Sequence, residues 1–288
     1  MPELAELKLT ADYVNKSSNG IVYTNVKKNP QHKGSELDIP FKYFKITAES
    51  KGKEIVMHIK DDDSETTIPI RITMGMSGHF KVTNTGQEPK HAHLKFFRKD
   101  GTTLSFVDVR RFGKWTQGLS WNEDRGPDPT TEFEEFKSNI INNIDRKVFN
   151  KPLYEILMDQ KWFNGIGNYL RAEIIYRMGN VNPFLPANQQ LKKYPEILEL
   201  CKDIPMLAYA KGGGSIKDWD NPFGENAIQE KFMLCYGNPK MLKIKDKNGR
   251  MFWYDPKWQE VLHDDNLKDW DYYSGLPSPS AYERVINE

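Results

Sequence analysis

The sequence predicts an α+β protein, and three observations carry that prediction. Apolar residues at helical spacing open the chain, short alternating runs fill residues 21–115, and helical patterns then lead into one hairpin signal near residue 249. At 288 residues, 38% hydrophobic and 28% charged, the chain has ordinary globular composition and room for two domains.

In the first segment Leu4, Leu7, Ala11 and Val14 recur on one helical face, and Gly20 closes it. The segment is amphipathic with acids near its start, so it reads as neither a secretory signal nor a membrane span. Runs such as KYFKITAE, KEIVMHI, HAHLKFF and TLSFVDV follow, separated by Gly, Pro, Asn and Asp clusters. They predict an antiparallel sandwich or barrel over residues 1–118, the opening helix included. Periodicity is lost through GLSWNEDRGPDPTTEFEEF, which places a linker at residues 119–131. Helices are expected at 133–143, at 152–162 behind Pro152, and at 168–178 before Gly179, within a helical domain spanning 132–235. Asn248-Gly249 sits between two β-prone runs and predicts a hairpin within 236–256.

The net charge of +1 argues little for a polyanionic partner until its distribution is considered. Residues 257–288 form an acidic tail; from Asp255 to the end acids outnumber bases by five, leaving +6 on the body. A modestly basic body suits short, local contacts to phosphate. Trp270, Tyr272 and Tyr273 suggest a tail that packs on the body. The two cysteines, Cys201 and Cys235, lie 34 positions apart with no CxxC or Cys/His partner, so neither a disulfide framework nor a zinc ribbon is expected. The chain reads as intracellular, with no membrane association and no metal.

Pro2 follows the initiator methionine, whose removal would leave a secondary amine as the chain terminus. An α-amino group titrates near ~8 against ~10.4 for lysine, so far more of it is free base at neutral pH. Attack of such an amine on a sugar aldehyde gives an iminium, the electron sink that β-elimination of a phosphate requires. Alone, proline at this position serves equally to permit methionine removal and to begin a helix. Glu3 and Glu6 are three apart on one face and can move protons at a sugar or imine, or simply complement the helix dipole. Lys53, in the turn-like SKGKE, is by itself an ordinary solvated lysine.

In fixed order the chain carries PELAE at the terminus, SKGKE near 50, MGMSG at 74–78, DVRRFG at 108–113 and NGIGNYLRAE at 164–173. With these motifs it resembles the formamidopyrimidine-DNA glycosylase and endonuclease VIII family, and within it the vertebrate Nei-like glycosylases that lack a zinc finger. The resemblance runs from Pro2 to about Pro256. It implies an N-terminal helix with a two-layer antiparallel β-sandwich, a helical domain with a helix-two-turn-helix, and a zincless β-hairpin finger. It also implies a bifunctional glycosylase and abasic-site lyase acting on DNA with oxidised bases or abasic sites, without a cofactor and as a monomer. Oxidised pyrimidines, formamidopyrimidines and hydantoins are the expected lesions.

Residue by residue, the resemblance makes Pro2 the nucleophile, Glu3 the main acid/base, Lys53 a DNA contact that assists catalysis and Glu6 a supporting carboxylate. Met76, Arg110 and Phe112 match the residues that enter the duplex when the damaged nucleotide flips out. An apolar side chain and a ring can wedge between bases, and a guanidinium can bond the orphaned partner base; without the motif, burial in the sandwich would explain Met76 and Phe112. Asn168 is expected on phosphate at a helix start, with a bland cap as the alternative. His91 and His93 sit at i and i+2 on an expected strand as a candidate metal pair; the resemblance instead places His91 against DNA phosphate. Asn248-Gly249-Arg250 supplies the finger's turn and its phosphate-gripping arginine. Residues 208–215, glycine-rich around Lys211, take the place of the flexible base-recognition loop. Two rivals remain at this stage: a lesion-binding protein that does not cut, and an unrelated His91/His93 metalloprotein.

Overall fold

The computed structural model describes residues 1–214, 219, 221–224 and 232–259. The chain divides into two compact units: residues 1–125 with the described residues between 207 and 224, and residues 126–206 with the described residues from 232 on. The expectation that Trp270, Tyr272 and Tyr273 pack on the body falls outside the described residues.

In the first unit, helix α1 (Leu4–Ser18) buries Leu4, Leu7, Ala11 and Val14, the stripe its spacing predicts. Strands β1 (Tyr23–Lys28), β2 (Phe44–Lys51), β3 (Glu54–Asp61), β4 (Thr67–Thr73), β5 (His79–Asn84), β6 (Ala92–Arg98), β7 (Thr102–Val107) and β8 (Lys114–Gln117) follow. They form one antiparallel ladder in the order β5-β7-β6-β1-β2-β3-β4-β8. Its two halves are joined between β1 and β2 by a single residue pair, Tyr23 with Phe44, whose rings stack 5.6 Å apart. So narrow a joint lets the halves fold face to face. Phe106 of β7 meets Trp115 of β8 edge-on at 6.1 Å within one continuous apolar core. The ladder's end strands do not pair, which decides between the sandwich and the barrel that the sequence left open.

Helix α1 is pinned to this sandwich by several side chains, among them Tyr13, whose hydroxyl accepts the Val82 amide, and Asn15. Asn15 donates from Nδ2 to the Ala48 carbonyl at 2.8 Å and accepts the Ala48 amide on Oδ1 at 2.7 Å, so the start of the chain is held against β2. Between β2 and β3, Lys51 pairs with Glu54 across a two-residue turn. Gly52 has φ +56° and Lys53 does not turn positive, the pattern of a hairpin with glycine at the first turn position.

Helices α2 (Phe133–Ile141), α3 (Leu153–Ile156), α4 (Asn168–Met178), α5 (Ala187–Lys193) and α6 (Ile197–Ala210) make up most of the remaining regular structure. The helix expected over 152–162 is only α3. Beyond Ile156 the chain turns, because short polar side chains bond the nearby backbone: Asp159 accepts the Lys161 amide, and Gln160 bonds the Met158 and Ile166 carbonyls and the Gly165 amide. The hairpin pairs β9 (Leu242–Lys245) with β10 (Met251–Tyr254). Only Gly249 of the Asn-Gly pair has positive φ, and Asp246 closes the loop by bonding Arg250 in both backbone directions, once through its carboxylate. Phe252 is fully buried and stacks 4.8 Å from Tyr154, so the hairpin packs as an apolar element of the second unit. No helix among the described residues is long and apolar enough to cross a membrane.

Candidate active site and nucleic-acid interface

The chain terminus of the first unit is an enclosed, charged place. Pro2, Glu3 and Glu6 are buried, and the helix begins only at Leu4 behind an extended Glu3, which leaves Pro2 just ahead of the first helical amides. Glu6 reaches back to accept the Glu3 amide at 2.7 Å, and its other oxygen accepts the Gly214 amide at 2.8 Å. One fully buried carboxylate therefore ties the N-terminus to residues 213–214, 208 positions away. Gly213 is held to glycine twice over: its φ is +97°, and a Cβ there would lie 2.9 Å from Glu6 Oε1.

Lys53, an ordinary surface lysine on the sequence alone, is only 9% exposed. Burial holds the terminal ammonium of Met1 below its usual value; Glu3 and Glu6 act against that, and Lys53 and Arg110 act with it. The terminal amine, two carboxylates, a lysine and an arginine thus share one electrostatic neighbourhood.

Met76, Arg110 and Phe112 come from two loops that one carboxylate clamps together. Asp108, fully buried, accepts Ser77 Oγ at 2.5 Å and the Arg110 amide at 3.2 Å on Oδ1, and the Gly113 amide at 2.7 Å on Oδ2. Ser77 Oγ in turn accepts the Arg110 amide at 3.1 Å. Gly75, at φ +60°, lies so close to this partner loop that a Cβ would meet the Phe112 backbone at 2.6 Å. Phe112 is 56% exposed, with the Arg110 guanidinium over its ring, and Met76 is half-buried. Core burial, the bland reading of Met76 and Phe112, is not what the fold does with them.

His93 is buried in β6, its Nε2 bonded to the Asp108 carbonyl at 2.8 Å, whereas His91 precedes the strand and its carbonyl accepts the Asp108 amide. Their rings are 6.4 Å apart. Burial lowers the pKa of His93 and of His32, whose ring lies 4.7 Å from it, so neither is a cation at neutral pH.

In the second unit Asn168 is the first residue of α4, the helix the sequence bounded at 168–178. Its Nδ2 donates to the Met251 carbonyl of β10 at 3.0 Å, and its Oδ1 accepts Nε and Nη2 of Arg171 at 3.1 and 2.5 Å. Arg171, wholly buried, also bonds the Tyr154 carbonyl and pairs with Asp246 at 3.0 Å. Asp246 uses its other oxygen to accept the amides of Asn248 and Arg250, each at 2.9 Å. The start of α4 and the loop that carries the exposed Arg250 are therefore one hydrogen-bonded object. Glu173, two residues after Arg171 on the same helix, accepts the amides of Leu234, Cys235 and Tyr236 and fixes the approach to the hairpin.

Ser77, Asp108, Arg171, Asp246 and Glu173 escaped the sequence reading as positioning residues, although Ser77, Asp108, Arg171 and Glu173 lie inside the motifs quoted for other reasons. Both cysteines are buried and burial pushes their thiols up, unlike the thiolates of a metal ribbon. Among the described residues no group of three or more His, Cys, Asp or Glu side chains is gathered to hold a metal ion.

Residues 1–115 match the formamidopyrimidine-DNA glycosylase N-terminal domain. The chain is 33% identical to human endonuclease 8-like 1 over 285 residues, an alignment covering 88% of this chain and 72% of that protein, and 34% identical to the mouse protein over the same shares. Among solved structures, MutM (Fpg) from Thermus thermophilus superposes with a TM-score of 0.73 at 20% identity, covering 90% of this chain and 99% of that one. Lactococcus lactis Fpg (MutM), solved in complex with Fapy-dG containing DNA, gives 0.73 at 21% identity, covering 89% and 99%. The fold is theirs, and the sequence identity to the endonuclease 8-like proteins over most of both chains places this chain in the formamidopyrimidine-DNA glycosylase and endonuclease VIII family of DNA glycosylases and abasic-site lyases.

Proposed function

We propose that the chain excises oxidised bases from DNA through an imine on Pro2 and then cleaves the strand by β- and δ-elimination. The observation that carries this reading is the gathering of Glu3, Glu6, Lys53 and Arg110 around a buried, pKa-lowered chain terminus. Burial shifts the terminal amine toward its free base, and removal of Met1 brings that amine to Pro2, which is buried. The Pro2 nitrogen attacks the anomeric carbon as the base departs, and a proton delivered by Glu3 opens the sugar ring to the iminium. Loss of a proton from the adjacent carbon expels the 3′ phosphate. A second elimination expels the 5′ phosphate, and water releases the sugar fragment.

In this reading Lys53 holds the substrate and assists catalysis, and Glu6 keeps Glu3 in place. Met76, Arg110 and Phe112 enter the duplex, their loops held by Asp108 and Ser77. His91, Asn168 and Arg250 contact phosphate. Oxidised pyrimidines, formamidopyrimidines and hydantoins are the substrates; the Lactococcus lactis relative, crystallised with Fapy-dG containing DNA, supports the formamidopyrimidines. Borohydride reduction in the presence of abasic DNA should trap one covalent complex, and mass spectrometry should place it on Pro2. A crosslink on Lys53 or another lysine with Pro2 unmodified overturns the mechanism, and no crosslink at all returns the chain to lesion binding without cleavage.

A further inference from the structure

The first unit carries a concavity that the mechanism does not use. It measures about 510 Å³ and lies between residues 31–35 and residues 111–116. Behind it His32 stacks on Trp115, centroids 4.4 Å apart and planes 24° from parallel, and both rings are buried, so the stack stiffens the concavity rather than offering a free ring face. The outer loop is fixed to that stack. The Trp115 indole donates to the Ser35 carbonyl at 2.8 Å, the Gly34 amide donates to His32 Nδ1 at 2.9 Å, and a Cβ on Gly34 would lie 2.5 Å from the indole ring. The concavity is therefore built into the fold.

Its charge is one-sided. Lys33, Arg111 and Lys114 line it, and no carboxylate does. Nearby cations elsewhere in this unit find acids, as Lys28 does with Glu36 and Arg125 with Glu54. Among the described residues Lys33, Arg111 and Lys114 form no ion pair, and all three are exposed. Arg111 is also the one non-glycine described residue with positive φ, at +58°. That conformation is unfavourable for a residue with a Cβ, and strain retained in this way points to use.

We propose that this pocket takes an unpaired nucleotide of the DNA strand, with its phosphates on Lys33, Arg111 and Lys114 and the His32–Trp115 stack behind it. The pocket's volume lies within the range of about 300–1,000 Å³ usual for ligand sites. A convex duplex backbone can touch only the rim of such a concavity, whereas an unpaired nucleotide can enter it. Three cations without ion pairs around one concavity suit a single strand, whose backbone charge such a groove can track. The strand is assigned by chain continuity: Arg111 lies between Arg110 and Phe112, so DNA parted by those residues is delivered to the pocket's edge. In that respect the inference rests on the function proposed above.

The test is the double variant Lys33→Glu/Lys114→Glu, with Arg111→Gly as a second variant that removes charge while suiting the +58° backbone. Affinity is measured for DNA with a tetrahydrofuran abasic analogue in a full duplex, in a duplex bubble and in a single strand. For both variants, affinity for bubble and single strand should fall about tenfold or more, duplex affinity less than about threefold, and the salt dependence should flatten by roughly 0.7 per lost single-strand phosphate contact. Borohydride trapping of a paired abasic duplex at saturating enzyme should be unchanged, so a failure of the lyase reading shows there and not in the binding ratios. Equal losses in all three contexts would reduce the pocket to a general field and overturn the proposal, as would no loss. So would competition by a free deoxynucleoside monophosphate that the variants abolish while every DNA affinity holds.

Discussion

Glu6 holds the Gly214 amide at 2.8 Å with one carboxylate oxygen and the Glu3 amide at 2.7 Å with the other. Both oxygens face N–H donors inside the fold. Glu6→Gln keeps the shape but must aim an NH₂ group at one of them, leaving a buried amide unsatisfied at a cost of about 1–3 kcal/mol. We expect a lower melting temperature and faster amide exchange at residues 213–214. If residues 211–214, which follow α6, hold the damaged base, base excision should fall by about tenfold or more while cleavage of a preformed abasic site falls less. Equal losses in the two assays would leave Glu6 a purely structural tie.

Asp108 makes a similar prediction for the duplex-entering loops. Asp108→Asn retains two acceptor lone pairs on one atom and presents a donor on the other, against Ser77 Oγ and the Arg110 and Gly113 amides. The loops carrying Met76 and Phe112 should loosen together. Excision from duplex should drop by about ten- to a hundredfold. A Phe112→Ala variant should retain the native melting temperature, because the ring is largely exposed. If Asp108→Asn destabilises the fold but leaves the excision rate per folded molecule unchanged, the clamp has no functional part.

The element order was legible because it is written locally. Four apolar positions at helical spacing, alternating runs and the punctuation of Gly20 and Gly179 are all read within a few residues. The side-chain ties were not. Glu6 reaches Gly214 across 208 positions, Arg171 reaches Asp246 across 75 and Ser77 reaches Asp108 across 31. No periodicity records such pairings, and Arg171 looks like any arginine on a helix until burial shows otherwise. The overlong helix at 152–162 failed for the opposite reason: a strong start signal at Pro152 was followed by side chains that bond their own backbone. The motifs themselves were enough to point to Pro2, Glu3 and Lys53, but the enclosure of Lys53 is a product of the fold.

The pH dependence of imine formation should follow the buried amine. The reactive form is the free base, so trapping on abasic DNA should rise with pH and level off above an apparent pKa lower than the ordinary terminal value of 8.0. The positive charge of Lys53 helps to depress that pKa. Its removal in Lys53→Gln should therefore move the rising limb to higher pH, besides lowering the plateau through lost substrate contact. Single-turnover trapping from about pH 5.5 to about pH 9 measures both. A limb that moves to lower pH, or a native midpoint above the ordinary value, contradicts this account of the terminus.

The finger is held by an ion pair, and that separates two variants which a metal-built finger would not. Arg171 and Asp246 are both buried, and Asp246 also carries the amides of Asn248 and Arg250. Asp246→Ala leaves the Arg171 guanidinium buried without its counter-charge, a loss of about 3–5 kcal/mol, so melting temperature and activity should fall together. Arg250 is exposed, and its side chain extends from a loop closed by backbone bonds that do not need it. Arg250→Ala should therefore melt like the native chain and yet lose about ten- to a hundredfold in base excision, the effect of one charge-assisted phosphate contact. Chelator should change neither protein. An Arg250→Ala enzyme within about twofold of native activity would mean the loop is only a turn, and stoichiometric zinc or inactivation by chelator would mean that something other than Arg171 and Asp246 holds it.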